Sequence, residues 1–496
     1  MGLLATALGL SLFASLPPHG GVYAPPPGPV LAPGIPGVRT LGPTVSSGPS
    51  TGAPTLASAP TTPGGSSGPD LALWTYWWQH NQAPFLNVKA HVRGVDGRTG
   101  SDGWFLGQGQ KDQALSLRPS VPQVRDQIVP ALLTVLEKES DSSLVSGALV
   151  ALGKIGPDGS TRDAERFEAA CVKLLADANQ EVRETAALAL GILGHGRAVP
   201  YLAHLLWDSK TAQRWVGARE VDYRTRAFAA FGLAQVGARS ESTSERESIV
   251  KILREALAAD ETKTPDLAAA CVIALGLVPL PEDEDGAAAD PAAPRTGRAE
   301  QLEHLLAWFE DDEHHRTARA HCPTALARLC IEVRGPAAVA LRARIANVLA
   351  ERIERGKEPA EVLQSCVQAL GTLATNGDGA LDVRLRRALT LVDQRVSEPQ
   401  ARAFALMAMA EAGGRFGTDT PSGVGEARDF LVHELVFGKN ALLPWSALGC
   451  GVLAWNLRGD PGQAAALESL QRAVRATLQD ARAPERIGAS ALAAGL

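Results

Sequence analysis

The sequence predicts an all-α, right-handed α-solenoid of about nine helical hairpins behind a disordered N-terminal tether. Three observations carry this expectation. One short pattern recurs: Leu, then Gly or Ala, any residue, a mostly aliphatic residue, then usually a small one. It is clearest at Leu152-Gly153-Lys154-Ile155-Gly156 and Leu190-Gly191-Ile192-Leu193-Gly194. Looser copies start at Leu233, Leu275, Leu326, Leu370, Met409, Leu453 and Leu492, at spacings between 38 and 51 residues. Fixed-period self-similarity of this length marks a repeat architecture. The second observation is that each copy ends a stretch with apolar residues at i, i+3 and i+4, such as Val182, Ala186, Ala189, Leu190 and Leu193, which is helical periodicity. The third is that alternating β-branched runs with hairpin turns are absent. A second amphipathic stretch separates successive copies, for example Val199 to Leu206. Two helices per repeat that cannot bury an apolar face alone stack on their neighbours.

Composition sets the outer limits. The chain has 496 residues, 45% hydrophobic and 21% charged, with a net charge of −6. That composition suits a protein able to bury a core, and the acidic balance argues against general nucleic-acid binding, which needs a basic footprint. No stretch reaches the roughly 20 apolar residues of a membrane span.

The elements follow in chain order. Residues 1–16, MGLLATALGLSLFASL, are apolar and free of side-chain charge, which suits the hydrophobic stretch of a secretory signal. No Lys or Arg precedes the run and Pro25 follows the best cleavage triplet, Val22-Tyr23-Ala24. The alternative is an uncleaved apolar N-terminus in an intracellular protein. Residues 17–70 form the next segment; of the 53 residues 17–69, 14 are Pro, 11 Gly and 12 Ser or Thr, and Arg39 is the sole Lys, Arg, Asp or Glu. Such a segment cannot bury enough apolar surface to offset its chain entropy and reads as a tether. Residues 71–123 hold a Trp-rich segment and a Gly-rich loop, and 124–496 the repeats, interrupted at 281–299 by an acidic Ala/Pro loop.

Residues 174–206, LLADANQEVRETAALALGILGHGRAVPYLAHLL, resemble a HEAT repeat of the short bacterial type: an acidic residue in the inter-helix turn, Val-Arg, an Ala-rich helix and Leu-Gly. Asp177, Val182, Arg183, Ala186, Leu190 and Gly191 match that pattern. The resemblance covers about 125–496 and is patchy from 280 to 345. It implies a binding scaffold rather than an enzyme, with no cofactor. Residues 74–126 also resemble the segment that precedes the HEAT array in exported bacterial proteins of unassigned function, through Trp74 to Ala90 and Phe105 to Asp112.

Six cysteines in an exported protein could form three disulfides, but register argues against it. Cys271, Cys322 and Cys366 each lie four residues before the signature Leu, where other copies hold Ala148, Ala186, Ala229, Ala405, Gly449 and Gly488. The slot takes a small residue, and Cys behaves as a small hydrophobe. Arg183, Arg226, Arg319 and Arg402 occupy a second slot, three residues before the small one; Asp177, Glu220 and Glu313 precede the first three by six residues. In the family this chain resembles, such acid–Arg pairs form a ladder along the stack. A functional alternative has these arginines facing an anionic ligand.

Chemistry-bearing motifs are sparse. His304, His314, His315, His321 and Cys322 lie within 19 residues, and His314 and His321 could share one helix face two turns apart. Cys-x₂₋₄-Cys spacing is missing here, and His315 and His321 are the one pair within the His-x₃₋₅-His range; solvent-facing histidines beside an acidic turn are the favoured reading and a metal or enzymatic site at 304–321 the alternative. Some HEAT-like enzymes hold a di-iron centre through several His-Glu pairs, and this chain has one, His433-Glu434. Gly107 to Lys111 lacks the spacer of a phosphate loop, and Asp96 to Asp102 starts like a calcium loop without its later Glu.

Trp74, Trp77 and Trp78 fall on one helical face at i, i+3 and i+4. They are expected to cap the open N-terminal end of the stack; an exposed aromatic patch that binds a partner is the alternative. The opposite end, Ala489 to Leu496, is apolar and stops on the signature; the expectation is that another copy of the chain or a partner covers it, or that the sequence is truncated there. The expected function is non-catalytic binding of another protein along an extended surface, in the periplasm or cell envelope.

Overall fold

The computed structural model describes residues 73–86, 119–156, 161–260, 265–282, 297–331, 333, 336–417 and 419–496. The expected signal segment, tether, Gly-rich loop and most of the acidic insertion lie outside the described residues.

The described chain is all-helical. Helix α1 (Trp74–Asn81) is followed by one turn, Ala83–Leu86. Nine hairpins follow. They are α2–α3 (Val129–Lys138, Ser142–Ile155), α4–α5 (Thr161–Leu174, Gln180–Leu193) and α6–α7 (Ala198–Leu206, Tyr223–Arg239). Next come α8–α9 (Thr243–Asp260, Pro265–Leu275), α10–α11 (Gly297–Glu310, Cys322–Leu329) and α12–α13 (Pro336–Arg355, Ala360–Leu373). The last three are α14–α15 (Ala380–Arg395, Pro399–Gly414), α16–α17 (Gly423–Phe437, Leu443–Leu457) and α18–α19 (Ala464–Asp480, Pro484–Gly495). The signature sits on the second, odd-numbered helix of every hairpin. Among the described residues no helix is long and apolar enough to cross a membrane.

Local chemistry sets the helix ends. Asn179 Oδ1 accepts from the Glu181 and Val182 amides at the start of α5, satisfying donors that have no partner inside the helix. Gly194 ends the same helix with φ +76°, a left-handed conformation that costs glycine nothing. Asp141, Asp222 and Glu398 start α3, α7 and α15 in the same way as Asn179.

The signature's Gly is explained by packing. The odd-numbered helices pack closely on one another along the stack, and the even-numbered ones meet their equivalents more sparsely. A Cβ on Gly191 would stand 2.2 Å from Gly232 Cα, and one on Gly371 would stand 2.7 Å from Ala408 Cα. Backbones this close admit no side chain. The signature helices therefore line one continuous face, with Leu190, Leu233, Leu275, Leu326, Leu370 and Leu453 fully buried beneath it.

Ion pairs join successive hairpins. Arg224 reaches Glu184 at 2.7 Å and Arg386 reaches Glu426 at 2.7 Å. Arg319 and Arg352 both pair with Asp312 and Glu358 at 2.7–3.3 Å. At the base of the insertion, buried Gln301 donates to the Leu275 and Val278 carbonyls and accepts from the Leu280 amide.

Candidate protein-binding face

The signature's variable third position runs along the odd-numbered helices as Lys154, Ile192, Gln235, Leu277, Arg328, Thr372, Glu411, Trp455 and Ala494. Residues three, four and seven positions earlier share its helical face. On α5, α7 and α9 this face is apolar apart from the buried Gln235: Leu188, Phe228 and Ile273 are half-buried, near Ile192, Phe231 and Leu277 in sequence. On α11 the position holds Arg328, which makes no hydrogen bond or ion pair with the described residues. Burial pushes its guanidinium down to about 10.

Helix α1 occupies the same face at the far end of the stack. The Trp74 Nε1–H donates to the Glu485 carboxylate at 2.8 Å, and its indole lies against Gly488 of α19. The Trp77 ring meets Trp445 of α17 edge-on at 6.5 Å, and Trp445 in turn meets Phe404 of α15 at 6.0 Å. The Phe85 ring lies 5.7 Å from Trp455 and 5.5 Å from Trp78. The aromatic segment thus runs from the edge of α19 onto the signature face of α17 and α15. The expected cap over the N-terminal hairpin is corrected: the segment covers part of the C-terminal end, because Trp74 lies on Gly488, Trp77 on Trp445 and Phe85 on Trp455. The apolar edge expected at Ala489 to Leu496 is partly occupied; Ala489 and Ala493 are buried in the hairpin stack.

A recess of about 380 Å³ opens between α1 and the stack, lined by Trp77, Asn81, Pro84, Phe85, Glu411, Gly414, Arg415, Val452 and Asn456. Burial pushes the Glu411 carboxyl above its ordinary value, opposed by the nearby positive charge of Arg415. Arg415 is itself pushed down by burial and donates to the carbonyls of Gly371 and Ala374 at 2.5 and 2.9 Å. Glu411 makes no hydrogen bond or ion pair with the described residues.

The arginine slot works differently from the expected ladder. Arg183 donates to the Asp177 backbone carbonyl at 2.8 Å, not to its carboxylate, and its closest acid is Asp222 of the next hairpin at 3.8 Å. Arg226 donates to the Leu206 carbonyl and Arg319 to the Phe309 carbonyl, at 2.9 and 3.1 Å. Arg402 bonds Asp393 at the end of α14 at 2.5 and 2.9 Å. The slot's cations therefore sit at the C-terminal ends of the first helices, where orphan carbonyls and the helix dipole favour positive charge.

All six cysteines are buried and none is disulfide-bonded, including Cys271, Cys322 and Cys366 in the small-residue slot. Burial pushes Cys330 and Cys450 up to about 12 and Cys171, Cys322 and Cys366 higher still.

His314 and His321 do not share a helix. His314 stacks on Trp308 at 4.0 Å in the turn before Arg316–Arg319, and His321 precedes α11, where Pro323 starts a new helix. His304 is half-buried with Nε2 unbonded, and desolvation followed by the Arg254 charge lowers it to about 4. Among the described residues no group of three His, Cys, Asp or Glu is placed to hold a metal ion.

Residues 129–221 match a family model described as HEAT repeats. No curated protein matches the chain. Among solved structures, an engineered protein is 14% identical and covers 85% of this chain and 94% of its own, with a TM-score of 0.32. Importin beta is 15% identical over 85% of this chain and 57% of its own, with a TM-score of 0.39. Human deoxyhypusine hydroxylase in complex with glycerol is 18% identical over 67% of this chain and 97% of its own, with a TM-score of 0.26.

Proposed function

We propose that this HEAT-repeat chain is a non-catalytic scaffold that binds another protein along its signature face, in the cell envelope. The observation that carries this reading is the state of that face. At α15, α17 and α19 it holds an aromatic helix, and at α5, α7 and α9 the same helical positions present Leu188, Phe228 and Ile273 half-buried. Beside them stands Arg328, a cation that folding has partly desolvated without giving it an acid among the described residues. A partner carrying an acidic side chain among apolar ones recovers that desolvation, and such positions dominate interface energetics. The envelope assignment rests on the apolar, uncharged residues 1–16 and the Pro/Gly/Ser/Thr-rich segment after them.

The test is affinity capture of C-terminally tagged chain from its native cells after mild cross-linking, native beside Phe228→Glu and Arg328→Glu. A stoichiometric partner that both substitutions remove supports the reading. A partner retained by both moves binding off this face. Mass spectrometry of the same sample reads the N-terminus; an intact Met1 contradicts export.

A further inference from the structure

We propose that the groove over α15, α17 and α19 is a docking site for an aromatic amphipathic helix bearing a basic residue, and that α1 is its resident, displaceable occupant. This deepens the scaffold reading and rests on it, yet its test uses purified components and fails or succeeds without any cellular partner.

The fit of α1 is incomplete. Of its residues only Trp74 is buried; Trp77, Trp78 and Phe85 are partly covered, and Leu73 and Leu86 are 41% and 42% exposed. The helix has eight residues and no side-chain cap at its start. Isolated helices shorter than roughly 12–15 residues are marginal in water, so α1 owes its form to the groove. The recess of about 380 Å³ under Asn81 and Phe85 is space that α1 leaves unfilled.

The recess also has a chemical preference. Glu411 is a desolvated carboxylate facing aromatic walls, and α1 offers it only the neutral Asn81 across the gap. Arg415 stands nearby, but it is committed to the Gly371 and Ala374 carbonyls. A lysine or arginine on an incoming helix completes the ion pair, and the Trp77 and Phe85 faces favour a cation. The indole donor to Glu485 and the ring contacts to Trp445 and Trp455 supply the rest of the recognition. As a tethered segment α1 competes at a local concentration of roughly millimolar order, so a partner must bind better than α1 does.

The experiment uses a fluorescein-labelled peptide of residues 73–86 as probe and the full chain as receptor, native or with α1 vacated by W74A/W77A. Anisotropy is expected to show saturable binding to the vacated chain and binding at least about tenfold weaker to the native chain, whose own α1 occupies the groove. A peptide carrying Asn81→Lys is expected to bind the vacated chain about threefold tighter, an advantage lost when the receptor also carries Glu411→Gln. Three results overturn the proposal: no saturable binding to a vacated chain that still melts cooperatively, equal binding to both receptors, or loss of the cooperative melt in W74A/W77A, which makes α1 an integral part of the fold. Binding of the native peptide with no gain from Asn81→Lys overturns the basic-partner specificity.

Discussion

Trp74 and Glu485 stand 411 positions apart in the chain, and the indole Nε1–H of the first donates to the carboxylate of the second at 2.8 Å. That bond ties the segment before the repeats to the last hairpin. Trp74→Ala removes both the bond and the indole packed on Gly488. Hydrogen exchange is expected to show residues 74–86 losing protection while α5 to α13 keep theirs, a local loss of about 2–4 kcal/mol. Unchanged protection across 74–86 would show that Trp77 and Phe85 suffice to hold the segment.

Two helical glycines make opposite predictions. Gly191→Ala places a methyl 2.2 Å from Gly232 Cα and forces α5 and α7 apart; a loss of at least about 2–3 kcal/mol is expected in urea unfolding. Gly147 lies inside α3 with nothing within 4 Å of the added carbon, so Gly147→Ala is expected to stabilise by about 0.5–1 kcal/mol. Similar effects at both sites would contradict the backbone contact.

Arg386 is the largest charged side chain fully buried in the stack, donating to the Thr375 and Gly377 carbonyls and pairing with Glu426. Arg386→Ala leaves those acceptors without a donor and is expected to cost about 3–5 kcal/mol. A Tm within one degree of native would refute that assignment.

The buried thiols predict both reactivity and pH dependence. None of the six is expected to react with Ellman's reagent in the folded chain at pH 8, and all six should react in guanidinium. Folding raises the pKa values of Cys171, Cys322, Cys330, Cys366 and Cys450, so the unfolded chain releases protons first. Stability is therefore full below about pH 8.5 and falls as pH rises above it. Fast labelling of a folded thiol would place a cysteine outside the helix packing.

His304 acts at the acid end. Folding lowers it to about 4, so between about pH 6.5 and 4 the unfolded chain binds the extra proton and stability falls as pH falls. Its share is about 1–2 kcal/mol after allowing for partial exposure. His304→Gln is expected to flatten that limb of a urea-derived stability profile; an unchanged slope assigns the limb to carboxylates.

The repeats were legible because the Leu-Gly signature is written by a local constraint, backbone approach such as Gly191 on Gly232, which recurs at Gly276 on Ala325 and Gly371 on Ala408 and is relaxed to Ala in other copies. The arginine slot was legible as a slot but not in its partners. Its acceptors are mostly backbone carbonyls, which leave no residue-type signal. The inter-hairpin pairs Arg224–Glu184 and Arg386–Glu426 sit 40 residues apart, the length of a repeat, and an offset of six could not find them. The tryptophan spacing defined a helical face but carried nothing about which end of the stack receives it; that is decided by Gly488, Trp445 and Trp455, hundreds of residues away. Glu411 and Arg328 occupy a position the signature leaves free, so only packing reveals which variable residues lack a partner among the described residues.

Binding of a protein to the signature face of α5 to α11 is the property on which the scaffold proposal rests. The most direct measurement is site-specific photo-cross-linking in the native cells, with benzophenone placed at Phe228 or Ile273 on that face and, separately, at Lys251 on the exposed side of α8. The account predicts one discrete adduct of the same partner from Phe228 and Ile273 and none from Lys251. Adducts from Lys251 alone would contradict it.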